Sequence, residues 1–138
     1  MNEKINNVIK DLTPKKNLND NIKNQQNFKF IFQPLKEPIM VFADKQRIYQ
    51  VISNLVKNAL KFIPSNYGKI EIIMEKNRES NEKKFVSVKI GDNGIGIDSQ
   101  ILPRLFQKFT TKSELGGTGL GLYISKNIVE AHDGKIWA

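Results

Sequence analysis

The apolar positions of the chain follow two periods, one typical of strands and one typical of helices. Alternation with polar residues predicts strands over residues 28–33, 69–75 and 85–90, and a short apolar run predicts another over 39–42. Only a short turn separates 28–33 from 39–42, so we expect these two strands to pair in antiparallel fashion. The strands over 69–75 and 85–90 are expected to form a hairpin with a charged, solvated loop.

Apolar spacings of three and four residues predict the helices. The clearest pattern covers residues 44–62, where Asp44 is suited to cap the first turn. Its predicted core face comprises Ile48, Val51, Ile52, Leu55, Ala59 and Phe62. Weaker patterns predict a helix over 2–12, a polar connection over 13–27, a short helix over 98–106, a helix over 122–132 and the beginning of a strand over 134–138.

Composition excludes several classes of site. The chain has 138 residues, which predicts a single domain over residues 1–138, and it contains no cysteine and one histidine, His132. A disulfide framework, a thiolate zinc site and a metal cluster built from several histidines are therefore excluded. No apolar run approaches the roughly 20 residues of a membrane span, and the N-terminus lacks a secretory segment, so we expect a cytoplasmic domain that is not inserted in a membrane.

The net charge of +8 raises the question of an anionic partner. The excess of lysine lies in the first half of the chain, where the lysines are scattered and are not interleaved with aromatic residues on one face. Solvated surface charge is the favoured interpretation, and we expect no nucleic-acid partner.

A glycine run stands directly before the last predicted helix, with four glycines in six positions over 116–121. Glycine lets a ligand approach the main-chain N–H groups closely. The first turn of the helix adds unpaired donors and partial positive charge. The segment therefore predicts an anion cradle, above all for phosphates. Taken alone, a glycine run is explained equally well by a flexible linker or a plain helix cap.

A polar ridge borders the apolar stripe of the helix predicted over 44–62. Asparagine is a mediocre helix former, so Asn54 and Asn58 gain nothing there from propensity. The carboxamide oxygen of Asn58 is a hard neutral ligand that suits Mg²⁺, and Lys61, one turn later, could reach a phosphate oxygen. An ordinary solvated helix face explains the same residues, which are Arg47, Gln50, Asn54, Asn58 and Lys61.

The strand over 85–90 runs into the sequence Gly-Asp-Asn-Gly-Ile-Gly-Ile over 91–97. An ionised carboxylate only accepts hydrogen bonds, so Asp92 matches the amino group of adenine, and the glycines could form walls that admit a flat ring. A calcium loop needs several alternating carboxylates, and only Asp92 and Asp98 are present. Calcium is therefore discounted, and an ordinary turn is the alternative. Downstream, the polar residues 107–116 have the composition of a lid over a bound ligand.

Taken in order, these motifs closely resemble the ATP-binding catalytic domain of sensor histidine kinases, within the GHKL ATPase superfamily. The segments 54–59, 92–96, 105–109 and 116–122 match that family's N, G1, F and G2 boxes, and the resemblance covers nearly the whole chain. It implies an α/β fold of the Bergerat type. In this two-layer sandwich a mixed sheet carries helices on one face, and the nucleotide, ATP or ADP, lies between helices and lid.

The resemblance also implies residue roles. Asn58 corresponds to the Mg²⁺ ligand, Asn54 to its polar companion and Lys61 to the phosphate-contacting lysine, and these three form the catalytic set. Asp92 corresponds to the residue that reads adenine, and Phe62 stands where many members have a stacking tyrosine. The remaining nucleotide-binding residues implied are Gly94, Gly96, Ile97, Phe109, Gly117, Thr118, Gly119, Leu120, Gly121 and Leu122.

The implied reaction transfers the γ-phosphate of ATP to a histidine on a separate dimerisation domain of the parent protein, with a response regulator as an indirect partner. The resemblance is compatible with a membrane-anchored parent protein. No segment of this chain resembles the family's phosphoacceptor helix, and His132 is expected to be a helix-end residue. The chain stops after Trp137 and Ala138, where the family continues into another strand, so the C-terminal strand is expected to be incomplete.

Three other functional classes share part of the pattern. An ATP-hydrolysing clamp of the same fold carries a glutamate general base where this chain has Asn54, and a carboxamide cannot take a proton from water, which counts against hydrolysis. An ATP-dependent switch or an anti-sigma-like serine kinase shares the pocket. A basic nucleic-acid module would bind DNA in a salt-dependent way that ATP does not compete with.

Overall fold

The fold is taken from a computed structural model, in which residues 28–37, 39–78, 84–110 and 117–138 are described. The predicted helix over 2–12, the connection over 13–27 and most of the predicted lid, 111–116, lie outside these residues. The chain divides into two compact units. The first unit comprises Met1–Val41 and Val56–Ile95, and the second comprises Phe42–Leu55 and Gly96–Ala138.

A mixed three-stranded sheet forms the first unit within the described residues. Its strands are β1 (Phe28–Gln33), β2 (Gly68–Arg78) and β3 (Lys84–Asp92). Strand β2 lies in the centre, parallel to β1 and antiparallel to β3. The sheet and the helices confirm the predicted α/β class with a mixed sheet. The antiparallel pair β2 and β3 confirms the predicted hairpin, although both strands run further into its tip than the pattern indicated.

The predicted strand over 39–42 is wrong, and so is its antiparallel pairing with β1. No strand forms over 39–42, and the side chains of Met40 and Phe42 are 96% and 107% exposed. Without a buried face, nothing specifies the pairing of so short an apolar run. Strand β1 instead pairs with β2, reached along the chain through helix α1, Lys45–Phe62. A helix of this length is the usual connection between parallel strands.

The core of the first unit is apolar and follows the predicted strand alternation. Ile70 and Ile72 are fully buried and Met74 nearly so, which confirms that these residues face one way. From the second half of α1, Ala59 is buried as predicted, and Val56, which the predicted stripe omitted, is also fully buried. Burial of aliphatic side chains of this size stabilises the fold by roughly 1.5–3 kcal/mol each.

Helix α1 begins as the sequence predicts, with Asp44 as its N-cap. The Oδ1 atom of Asp44 accepts hydrogen bonds from the backbone N–H groups of Gln46 and Arg47, at 2.9 and 3.0 Å. The bond from the Arg47 backbone N–H is the main cause that lowers the pKa of the Asp44 carboxyl from its usual value. A charged cap also suits the partial positive charge of a helix N-terminus.

The second unit contains helix α2, Gly121–Glu130, and the first part of α1. Its buried residues are Val51, Ile52, Ser125 and Ile128. A Schellman motif ends α2, because Gly134 N–H bonds to Val129 O and Asp133 N–H bonds to Glu130 O, both at 3.0 Å. None of the helices among the described residues has the length and apolar character needed to cross a bilayer.

His132 links the end of α2 to the start of α1 within the second unit. Its Nδ1 lies 2.7 Å from Ile128 O and its Nε2 lies 3.0 Å from the backbone N of Asp44. A carbonyl requires a donor and a backbone N–H requires an acceptor, so the geometry assigns the donor role to Nδ1 and the acceptor role to Nε2. This confirms His132 as a helix-end residue.

Two predicted elements in the second unit differ from the structure. The short helix expected over 98–106 is one 3-10 turn, Leu102–Arg104. Pro103 has no N–H to donate, and the Asp98 carboxylate accepts the Gln100 N–H at 2.9 Å, which favours a turn before the proline. The strand expected over 134–138 does not form.

Candidate functional site

The first unit carries the carboxylate predicted to read adenine. Asp92 is the last residue of β3 and is exposed to solvent. Its Oδ1 accepts the backbone N–H of Gly94 at 2.8 Å, which makes residues 92–94 an Asx-turn. A carboxylate has a second oxygen, Oδ2, which keeps its own acceptor positions. The turn therefore presents an acceptor-only group at the end of a strand.

Gly94 lies against the C-terminal end of α1. A Cβ atom at position 94 would lie 2.6 Å from the backbone oxygen of Phe62 and 2.7 Å from Oδ1 of Asp92. Both distances are too short for any side chain, so the close approach itself requires glycine. The structure thus brings together three of the predicted site residues, Phe62, Asp92 and Gly94.

Asn93 forms hydrogen bonds that join this turn to the start of β2 and to Tyr67 just before it. The sequence analysis did not single out Asn93. Its Oδ1 accepts the Lys69 N–H at 2.6 Å and its Nδ2 donates to Tyr67 O at 2.9 Å. Its own backbone N–H donates to Lys69 O at 3.2 Å. The only signal in the sequence was an asparagine between aspartate and glycine, which is typical of turns in general.

Asn58 and Lys61 lie on the last turns of α1 and belong to the first unit. Asn58 is half-buried, and Lys61 is exposed with its ammonium 5.5 Å from the centre of the Phe62 ring. Among the described residues there is no cluster of three or more His, Cys, Asp or Glu that could hold a metal ion. A single carboxamide oxygen fits Mg²⁺, which takes most of its ligands from water and phosphate oxygens. The donor set present therefore fits Mg²⁺ bound together with a nucleotide.

In the second unit, left-handed backbone conformations shape the glycine segment. Gly117 has φ 130° and Gly119 has φ 65°, values that glycine adopts without strain. The Oγ1 of Thr118 accepts the Leu120 N–H at a long 3.4 Å. Leu120 precedes α2 without a side-chain cap. The segment therefore ends at a helix start that no side chain caps, the arrangement expected of an anion cradle.

Phe109 and Gly119 lie back to back. The backbone N–H of Phe109 donates to Gly119 O at 3.0 Å, and a Cβ atom on Gly119 would lie 2.7 Å from the Cα of Phe109. Phe109 also has a positive φ, 61°, and its ring is 70% exposed. One backbone hydrogen bond thus joins Phe109, within the predicted lid segment 107–116, to Gly119 beyond the end of that segment.

Gly96 and Ile97 belong to the second unit and are exposed. A Cβ atom on Gly96 would meet nothing within 4 Å, but its φ is 76°. Glycine is therefore required there by the backbone conformation rather than by space, in contrast to Gly94. The side chain of Ile97 is 50% exposed, which leaves it available to a ligand.

Asn54 contacts the beginning of α2 rather than standing open on a polar ridge. Its Nδ2 donates to Gly121 O and to the Oγ of Ser125, each at 3.4 Å. Gly121 and Leu122 are the first residues of α2, so the helix starts one residue earlier than predicted. The structure therefore gives Asn54 an interhelical contact, and its catalytic role stays a prediction.

Ser125 is a second residue that the sequence analysis missed. It is completely buried and is the one buried polar side chain found among the described residues. The signal was available, because Ser125 follows Leu122 by three residues and precedes Ile128 by three, which puts a hydroxyl on the apolar face of the helix. A buried hydroxyl needs a partner, and Asn54 provides one.

Comparison with known proteins gives concordant matches. A family model described as histidine kinase-, DNA gyrase B-, and HSP90-like ATPase matches residues 43–138. The chain is 38% identical over 119 residues to the sensor histidine kinase WalK of Bacillus subtilis (strain 168), covering 83% of this chain and 19% of WalK. It is 42% identical over 104 residues to the signal transduction histidine-protein kinase BarA of Escherichia coli (strain K12), covering 72% of this chain and 11% of BarA.

Solved structures show the same relationship. The catalytic domain of the histidine kinase ThkA has a TM-score of 0.77 and 34% sequence identity to this chain, covering 99% of this chain and 82% of the other. The chain spans about a fifth or less of the length of the curated relatives WalK and BarA. These multidomain relatives carry much more sequence than the segment they share with it.

Proposed function

Because this chain belongs to the family of histidine kinase-, DNA gyrase B- and HSP90-like ATPases, we propose that it binds Mg-ATP and donates the γ-phosphate to a histidine on a separate dimerisation domain. The relatives that match most of the chain are histidine kinases, which favours phosphotransfer over the other activities of the family. In two-component signalling a response regulator then takes the phosphoryl group from that histidine.

The observation that carries the proposal is the turn at residues 92–94 against the end of α1. Asp92 offers an acceptor to the amino group of adenine, and Gly94 lies on Phe62 so closely that no side chain fits between them. The ring of Phe62 is half-buried in the same unit and offers a surface on which the base can stack. An acceptor and an aromatic surface together suit a purine with an exocyclic amino group.

The phosphate end of the nucleotide is assigned to α1 and to the glycine segment. Asn58 would hold Mg²⁺ through its carboxamide oxygen, and Lys61 would neutralise phosphate charge. Residues 117–122 would supply backbone N–H groups at the start of α2. When bound, Mg²⁺ would stabilise the negative charge of the phosphates. Residues of this chain would position the phosphates for attack by the histidine of the dimerisation domain.

Hydrolysis is not favoured as the activity of this domain. A hydrolase of this fold needs a general base near the attacking water. Asn54 occupies the position of that general base, and a carboxamide does not take up a proton near neutral pH. Its Nδ2 is also engaged by Gly121 O and Ser125 Oγ, at 3.4 Å each.

The test of nucleotide recognition compares the chain with its Asp92→Asn variant by calorimetry with Mg-ADP. The amide of asparagine would turn a donor towards the adenine amino group, and a buried unsatisfied donor costs about 1–3 kcal/mol. We expect a roughly 10- to 100-fold loss of ADP affinity. The matched control is Glu75→Gln, which also replaces a carboxylate by a carboxamide within the same hairpin. Unchanged ADP affinity in Asp92→Asn would contradict the proposed adenine contact.

A further inference from the structure

We propose that Asn93 is a positioning residue that makes the Asp92 turn selective for adenine over guanine. The inference rests on the proposed function, because it concerns how the same carboxylate is held. It assigns to Asn93 no contact with the nucleotide, only control over the orientation of its neighbour. Four polar atoms of the first unit carry it: both side-chain heteroatoms of Asn93, the N–H of Lys69 and the carbonyl of Tyr67.

The Asn93 carboxamide acts as an additional rung of the β2–β3 ladder. The last regular pair of that ladder is Ile70 with Asp92. The next residue, Asn93, continues it, since its backbone N–H bonds to Lys69 O at 3.2 Å and its Oδ1 accepts the Lys69 N–H at 2.6 Å. The side chain thus replaces a strand carbonyl where the strand itself turns away.

The orientation of this carboxamide is fixed by its partners. The Lys69 N–H is a donor, so it must face Oδ1, while Tyr67 O is an acceptor, so it must face Nδ2, 2.9 Å away. No other side chain of this length offers one donor and one acceptor in this geometry. Aspartate would set a carboxylate oxygen against the Tyr67 carbonyl, and alanine would leave both backbone groups without the side-chain partner.

The consequence for Asp92 follows from the length of the turn. Gly94 N–H holds one oxygen of Asp92 at 2.8 Å, and Asn93 lies between these two residues. Because three hydrogen bonds hold Asn93 in place, the second carboxylate oxygen of Asp92 has one preferred direction. A fixed acceptor pairs with the amino group at position 6 of adenine and repels the oxygen at position 6 of guanine. Without the hydrogen bonds of Asn93, the Asp92 carboxylate can rotate away from the oxygen at position 6 of guanine. The preference for adenine over guanine is then lost.

The experiment measures the Kd of Mg-ADP and of Mg-GDP by calorimetry for the chain, for Asn93→Ala and for Asn77→Ala. Asn77 is a matched control, since it lies in the same hairpin and donates from Nδ2 to the Oγ of Ser87 at 2.8 Å. We expect Asn93→Ala to reduce the ratio of the GDP Kd to the ADP Kd at least tenfold, and Asn77→Ala to leave that ratio unchanged. Loss of folded protein weakens both nucleotides by the same factor, so a merely structural role leaves the ratio unchanged.

Asn93→Ser guards against a variant that does not fold, because its hydroxyl can still accept from the Lys69 N–H. We expect Asn93→Ser to lower the ratio less than Asn93→Ala. An unchanged ratio in either folded variant would overturn the inference, and so would failure of both variants to fold, because Asn93 would then serve the fold alone. An unmodified chain that binds neither nucleotide would instead contradict the proposed function. A chain that prefers ADP together with variants that keep the preference would contradict only the role of Asn93.

Discussion

Phe109 and Gly119 both adopt left-handed backbone conformations, and a 3.0 Å hydrogen bond from the Phe109 N–H to Gly119 O joins them. Phe109 lies inside the segment predicted to be the lid, 107–116, and Gly119 lies three residues beyond its end. A phenylalanine in this conformation carries strain of order 1–2 kcal/mol, and such strain persists where the surrounding structure imposes it. The hydrogen bond between Phe109 and Gly119 therefore sets the position of the backbone at Gly119, two residues before α2 begins.

Gly119→Ala should lower stability by about 1–2 kcal/mol or more, because the new Cβ atom would lie 2.7 Å from the Cα of Phe109 and the φ of 65° disfavours any side chain. Gly121→Ala is the matched control, since its Cβ atom would lie 3.9 Å from the nearest atom, in Asn54, at a helical position. Thermal melts compare the two. Equal melting temperatures for both variants would contradict the back-to-back packing.

Features that depend on a few adjacent residues could be predicted from the sequence. The N-cap at Asp44 depends on a few adjacent residues, so a short window of sequence contains its cause. The pairing of β1 depends on a strand about forty residues away, and the apolar run over 39–42 was a nearer but false candidate. The Asn54 contact with Ser125 has the same character, because its partner lies on another helix.

The metal assignment predicts a differential effect for Asn58→Ala. The change removes a carboxamide oxygen and leaves Asp92 and Gly94 unaltered, so affinity for ATP should fall about tenfold or more in the presence of Mg²⁺ and little in EDTA. Calorimetry in the two buffers measures this. A suitable control is Asn77→Ala, which changes the same residue type in β2. An equal loss with Mg²⁺ and with EDTA would show that Asn58 is not a metal ligand.

The Schellman motif that follows α2 contains a residue, Asp133, whose conformation glycine suits better. Its φ of 55° lies in the left-handed region, which glycine adopts without strain. Asp133→Gly should leave stability unchanged or raise it by up to about 1 kcal/mol, since relief of strain is partly offset by the greater freedom of glycine in the unfolded chain. In Gly134→Ala, by contrast, a Cβ atom would lie 2.9 Å from Cγ1 of Val129, and stability should fall. Thermal melts give both values, and a clear loss in Asp133→Gly would reveal an interaction of the Asp133 carboxylate that stabilises the fold.

The central claim is that the domain supplies the phosphoryl group and another domain receives it. His132 is a poor acceptor, because its Nδ1 faces Ile128 O at 2.7 Å and its Nε2 faces the Asp44 N–H at 3.0 Å. A nucleophile must come within about 3–3.5 Å of the γ-phosphate with its lone pair directed at the phosphorus. Both ring nitrogens are committed to the backbone instead.

The most direct measurement incubates the chain with γ-labelled Mg-ATP, first alone and then with the separately made, histidine-bearing dimerisation domain of the parent protein. A dimerisation domain whose phosphoacceptor histidine is replaced by glutamine is the control. We predict that label appears only on the added domain, only when its histidine is present, and never on the chain itself. Label on the isolated chain that disappears in His132→Gln, or no label on the added domain despite bound ATP, would contradict the account.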